Sequence, residues 1–118
     1  MILVDTSVWV DHLRAGDPKL ATLLQANQVL THPFVVGEIA LGSLKQRRLI
    51  LGALANLPHA PVARAEEVLL FIDRHSLAGT GLAYVDVHLL ASAQLAAGAA
   101  ILTRDKRLEA TARRLGLA

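Results

Sequence analysis

Short, wholly apolar runs alternate with helical segments along this chain, and this alternation constrains the fold more than any other feature. The runs are Ile2-Leu3-Val4, Val29-Leu30 and Ala100-Ile101-Leu102. Strands that are apolar on both faces are typical of parallel sheets covered by helices, and no Asn-Gly hairpin turn occurs in the sequence. The pattern predicts the α/β class, as a three-layer α/β/α fold with a small parallel sheet.

The segments between these runs carry apolar residues at helical spacing. A chain of 118 residues has the size of one ordinary domain, and we expect residues 1–118 to form a single domain. Helices are predicted after Asp5, after Asp17-Pro18 and after Pro33. Further helices are predicted at about 44–57, 64–77, 85–97 and from 106 to about 115, with an additional short strand around 61–63.

Composition excludes several kinds of protein. The chain has no cysteine, which excludes disulfide bridges and thiolate metal sites. Its first residues lack the basic segment and apolar run of a secretory signal peptide. The apolar stretch 87–102 contains His88, Ser92 and Gln94 and is too short for a comfortable membrane span. We therefore expect a cytoplasmic protein with no membrane contact.

Four acidic residues stand where a parallel sheet would gather them. Asp5 directly follows the first strand, and Asp105 lies just beyond the last. Asp86 begins the helix that precedes that last strand, and Glu38 lies inside an otherwise apolar helical segment. Because open parallel sheets bind ligands outside the carboxyl ends of their strands, we expect these acids to converge in one crevice.

Carboxylates gathered in this way repel one another unless a cation neutralises them. Oxygen ligands suit Mg²⁺ or Mn²⁺ better than zinc, and a metal held by carboxylates can activate water for phosphodiester hydrolysis. If these four acids gather in one site, the twelve Lys and Arg residues outnumber the acids on the remaining surface. That positive surface suits a polyanionic substrate. The predicted catalytic residues are Asp5, Glu38, Asp86 and Asp105, with Asp5 and Asp86 as metal ligands.

Polar residues beside these acids are candidates for substrate binding or support. They are Thr6, Ser7, Thr103, Arg104 and Lys106. The hydroxyls could equally cap helices, and the cations could form a local ion pair with Asp105.

Structural roles are also open for the acids themselves. Asp5 and Asp86 could cap helices, and Glu38 could be an ordinary exposed helix residue. The remaining aspartates Asp11, Asp17 and Asp73 are expected to be solvated. His88 is interpreted as structural, because its two-residue offset from Asp86 on a helix points the two side chains apart. Trp9 is interpreted as a core residue.

Four motifs of the sequence resemble those of the PIN-domain family, and of its VapC toxins in particular. The opening motif is LVDTSVW at 3–9, and the later ones are VGEI at 36–39, YVDVHLLASA at 84–93 and TRDKRL at 103–108. Their order and spacing agree with the family over the whole chain. The resemblance implies a Mg²⁺- or Mn²⁺-dependent endoribonuclease that acts as a toxin. It further implies an RNA substrate, a homodimer and a cognate VapB-like antitoxin that covers the pocket.

Rival folds fit less well. A response-regulator receiver domain needs an acidic pair after its first strand, and a haloacid-dehalogenase phosphatase needs a second Asp two residues after the first. Thr6 and Ser7 occupy those places here. Within the PIN fold, two alternatives stay open: an RNA-binding or regulatory module with weak nuclease activity, and a structure-specific DNA nuclease.

Overall fold

Three short parallel strands form the sheet in the computed structural model of the chain, which describes all residues from 1 to 118. The strands are β1 (Ile2–Val4), β2 (Val29–Leu30) and β3 (Ala100–Leu102), in the order β2-β1-β3. The chain leaves β1 for a neighbour on one side and returns to β3 on the other. The central strand therefore ends at a topological switch point, the place where open parallel sheets bind ligands.

Seven helices flank this sheet, and the predicted α/β/α fold is confirmed. They are α1 (Thr6–Ala15), α2 (Pro18–Gln25), α3 (Pro33–Ala40), α4 (Arg47–Ala55), α5 (Ala65–Arg74), α6 (Tyr84–Leu95) and α7 (Lys106–Arg114). Helices α6 and α7 pack against β3, while α3 packs against both α1 and α4. No helix has the length and apolar character needed to cross a membrane.

One cluster of 25 buried apolar residues forms the core, and Trp9 belongs to it as predicted. Helix α6 lies deepest, because every residue from Val87 to Ala93 is buried. The small side chains Ala91, Ser92 and Ala93 let its backbone approach its neighbours closely. This buried helix carries Asp86 in its first turn and so holds that residue in a rigid place.

The predicted strand at residues 61–63 is wrong. Only His59, before this segment, forms a parallel bridge, with Thr31, and the Ala60 N–H donates to the Thr31 carbonyl at 2.8 Å. The next ladder bond in this register would run from the N–H of residue 33 to the Ala60 carbonyl, and Pro33 has no N–H, so the pairing ends after one bridge.

Helix α4 is also shorter than the predicted range of 44–57. It begins at Arg47 because Gln46 takes a left-handed conformation, with φ 54°. A residue in that conformation cannot continue a right-handed helix, so the helical turns start only after it. The connection between α3 and α4 therefore runs through non-helical residues.

Candidate active site

Asp5 lies at the carboxyl end of β1 and is only 7% exposed. Its Oδ2 accepts two hydroxyl hydrogen bonds, from Ser7 Oγ at 2.7 Å and from Thr103 Oγ1 at 2.8 Å. Oδ1 accepts none. Although Asp5 occupies the N-cap position of α1, its carboxylate makes no capping bond. The capping alternative is therefore not realised, and the second oxygen stays available to a ligand.

The same two hydroxyls hold the turn that follows β3. Ser7 Oγ accepts the Arg104 N–H at 3.0 Å, and Thr103 Oγ1 accepts the Asp105 N–H at 3.0 Å. The hydroxyls lie 3.3 Å from each other. Each one thus donates to Asp5 and accepts from the turn, which joins the ends of β1 and β3 in one polar network. The structure places Ser7 and Thr103 against a carboxylate, where they fix its orientation.

Strand register explains why these residues meet. Val4 pairs with Leu102 across the two parallel strands, and the Asp5 N–H donates to the Leu102 carbonyl at 2.9 Å. The residues that leave the two strands next, Asp5 and Thr103, are therefore neighbours. Because parallel strands end at the same edge of a sheet, both residues lie at that edge.

Glu38 is exposed on α3, whereas its apolar sequence neighbours predicted that it would have apolar surroundings. Val35 and Ile39 are one turn apart and form the buried face of the helix, so Glu38 lies outside that face. Its Oε1 accepts a hydrogen bond of 2.6 Å from Thr6 Oγ1 at the start of α1. This bond holds the Glu38 carboxylate beside Thr6, near the end of β1.

Asp86 is half-buried in the first turn of α6, where it accepts the Ala83 N–H at 3.2 Å. Burial raises the pKa of Asp86, and that hydrogen bond opposes the rise without cancelling it. The negative charges of Asp5, Asp105 and Glu38 raise the pKa of Asp86 further. The three other acids therefore lie within electrostatic range of Asp86.

Asp105 is exposed and caps α7, with Oδ1 accepting the Leu108 N–H at 2.9 Å. The local ion pair proposed for it does not form. Arg104 instead pairs with Asp11 and Asp17, and Lys106 is exposed. Asp105 therefore keeps its second oxygen free of protein partners.

The donor set fits a hard divalent cation. All four side chains offer carboxylate oxygens, and none forms an ion pair with Lys, Arg or His. No three of them stand close enough together to form a finished metal cage. Like charges without a counter-ion repel one another, and a cation would relieve that repulsion.

The prediction that Asp17 is solvated is wrong. Asp17 is 6% exposed, and its Oδ1 caps α2 by accepting the Leu20 N–H at 2.9 Å. Its Oδ2 pairs with the guanidinium of Arg104, which also lies 3.3 Å from Asp11 Oδ2. Arg104, predicted to contact substrate, is thus engaged by two acids. The pairing joins residues 87 positions apart, so no local sequence pattern signals it.

The geometry agrees with the similarity of this chain to known proteins. A family model described as PIN domain matches residues 2–114. The chain belongs to the PIN-domain family. This PIN domain is 51% identical to two proteins named Ribonuclease VapC32, from the CDC 1551/Oshkosh and H37Rv strains of Mycobacterium tuberculosis. Each alignment spans 118 residues, which is 100% of this chain and 95% of the relative.

Proposed function

We propose that this PIN domain is a metal-dependent endoribonuclease and the toxin of a toxin–antitoxin pair. The observation that carries the proposal is the group of four carboxylates at the switch point, none of them neutralised by a protein cation. The name of the two relatives, Ribonuclease VapC32, supports RNA as the substrate, and the resemblance of the four motifs to those of VapC toxins supports the biological role.

Each site residue has a distinct proposed role. Asp5 and Asp86 are the metal ligands, while Glu38 and Asp105 complete the catalytic set. Mg²⁺ or Mn²⁺ held there would supply a Lewis acid that activates water and stabilises charge on the phosphodiester. Ser7 and Thr103 orient Asp5, and Thr6 orients Glu38, through the hydrogen bonds described above. Lys106 is exposed at the start of α7 and is the free cation proposed to meet an RNA phosphate.

Partners follow from the toxin role. We propose a VapB-like antitoxin that covers the carboxylate crevice, and a cytoplasmic site of action, where bacterial RNA is found. We also propose a homodimer. Its support is the exposed apolar surface of the α3–α4 region, where Leu41 is 89% and Leu49 67% exposed.

Two other functions share the fold. An RNA-binding module without activity would gain nothing from four unneutralised acids facing a polyanion, so the carboxylates favour catalysis. A structure-specific DNA nuclease would use the same chemistry on another substrate. The substrate class therefore needs a direct test.

Purified protein will cut single-stranded RNA into discrete fragments when Mg²⁺ or Mn²⁺ is present. Total bacterial RNA, separated on a denaturing gel, is the first substrate to use, and a DNA flap of matched length is the comparison. EDTA will abolish cleavage because the carboxylates cannot activate water without the metal. Preferred cleavage of the flap would contradict the ribonuclease proposal, and intact RNA in every lane would favour the binding module.

Saturating Mn²⁺ will raise the melting temperature of the protein, because the metal binds only the folded state. At one hundred times its dissociation constant the ion adds about 2.7 kcal/mol, a rise on the order of 10 °C for a domain of this size. Differential scanning calorimetry with Mn²⁺ and with EDTA measures the rise. Asp86→Asn will lose most of it, whereas Asp73→Asn, at an exposed position on α5, will retain it. An equal rise in both variants would contradict the assignment of Asp86.

A further inference from the structure

We propose that Arg104 is a positioning residue of the active site, which holds the turn at residues 103–105 through its ion pairs with Asp17 and Asp11. The proposal rests on the proposed nuclease function. Arg104 lies between Thr103, which orients Asp5, and Asp105, a proposed catalytic residue. Holding Arg104 in place therefore fixes two of the four carboxylates at once.

The side chain of Arg104 reaches the corner between α1 and α2. Its Nη2 pairs with Oδ2 of the buried Asp17, and its Nε lies 3.3 Å from Oδ2 of Asp11. Asp17 is itself held on both sides, since its carboxylate accepts the Leu20 N–H at 2.9 Å and its own N–H donates to His12 Nδ1 at 3.0 Å. The corner is thus a rigid anchor for the guanidinium.

The backbone of Arg104 reaches the site from the opposite direction. Its N–H donates to Ser7 Oγ, one of the two hydroxyls that bond Oδ2 of Asp5. The next N–H along the chain, that of Asp105, donates to the other hydroxyl, Thr103 Oγ1. A shift of the turn would therefore loosen both hydroxyls together and leave Asp5 free to rotate.

Arginine suits this pair of contacts better than lysine. The planar guanidinium presents Nε and Nη2 to two different carboxylates, whereas the ammonium of lysine is one compact charge on a flexible stem. Asp17 is buried, so removal of Arg104 leaves a desolvated charge without a counter-ion. These two observations indicate that the guanidinium binds Asp17 and Asp11 and does not bind an RNA phosphate.

The experiment compares four variants: Arg104→Ala, Arg104→Lys, Asp17→Asn and the control Arg64→Ala. Asn at position 17 still accepts the Leu20 N–H and keeps the helix cap, but it lacks the charge that binds Arg104. Arg64 is the matched control, because this exposed arginine also pairs with two carboxylates, those of Glu66 and Glu67 in the first turn of α5. Circular dichroism verifies that each variant is folded.

Two measurements need no RNA. We expect the Mn²⁺ dissociation constant, measured by electron paramagnetic resonance of free Mn²⁺, to rise roughly 10- to 100-fold in Arg104→Ala and in Asp17→Asn. In metal-free protein, hydrogen exchange of the Asp105 N–H will be faster in the same two variants. Arg104→Lys will give intermediate values, and Arg64→Ala will match the wild type.

Cleavage kinetics separate positioning from substrate contact. Positioning predicts that Arg104→Ala and Asp17→Asn both lower kcat with little change in KM for RNA. If Arg104 binds RNA instead, Arg104→Ala will raise KM, and Asp17→Asn will lower it by freeing the guanidinium. That opposite response overturns the proposal, as does unchanged exchange of the Asp105 N–H. If the wild type cleaves no RNA, the proposed function fails while hydrogen exchange still decides the role of Arg104.

Discussion

Asp5→Asn will slow RNA cleavage on the order of 10³-fold, because a metal site supplies several kcal/mol of transition-state stabilisation. The substitution removes the charge of the carboxylate at the switch point and keeps its shape. Asn can still accept the hydroxyl bonds from Ser7 and Thr103, so the network between β1 and β3 survives. The loss is therefore specific to the charge. Single-turnover cleavage at saturating Mn²⁺ measures it.

The stability of Asp5→Asn provides the internal control. Removal of one of four mutually repelling charges leaves the free energy of unfolding in EDTA equal to that of the wild type, or higher. Induced expression in a bacterial host gives the biological readout: the wild type arrests growth and Asp5→Asn does not. Asp73→Asn, on the exposed surface of α5, will cleave and arrest growth normally. A fully active Asp5→Asn protein would show that the metal site has been assigned to the wrong residues.

Acidification from pH 7 to about pH 4 will lower the free energy of unfolding by about 3 kcal/mol through His32 alone. His32 is fully buried, where Nδ1 caps α3 by accepting the Phe34 N–H at 3.0 Å and Nε2 lies 3.1 Å from Ser92 Oγ. Burial lowers the pKa of His32 from 6.5 to about 4, with smaller contributions from the charges of His88 and His59. The folded protein therefore keeps this ring neutral at mildly acidic pH.

The sign of the effect follows from proton binding. Between the ordinary pKa of 6.5 and the folded pKa of about 4, the unfolded chain binds a proton at His32 that the folded chain does not. The free energy of unfolding therefore falls as the pH decreases through that range. Below about pH 4 the folded protein binds the proton as well, and this contribution stops changing.

Urea unfolding between pH 7 and pH 4 tests the contribution of His32. His32→Asn removes the titrating ring and keeps an acceptor at the helix cap, so its stability will vary less with pH in this window. His59→Gln, at an exposed position, will retain most of the dependence. If His32→Asn shows the same slope as the wild type, some other group controls the acid sensitivity.

Much of the fold was predictable because its signals are local. A strand that is apolar on both faces and a helix with apolar residues at helical spacing need only neighbouring residues to be recognised. The parallel sheet and the position of Asp5 after β1 follow from such patterns. The segment at 61–63 shows where they fail: its short apolar run indicated a strand, but the pairing ends because Pro33, on the opposite side of the bridge, has no N–H to donate to the Ala60 carbonyl.

The carboxylate chemistry of the candidate site can be read from the sequence, because Asp5, Glu38, Asp86 and Asp105 and their order along the chain are local facts. How these side chains are held depends on the tertiary structure. The register of β1 against β3 brings Ser7 and Thr103 to one oxygen of Asp5. Packing sets Arg104 on Asp17, 87 residues away, and leaves Glu38 outside the buried face of α3. Such contacts depend on strand register and on which helix faces meet, and neither is encoded in any short stretch of residues.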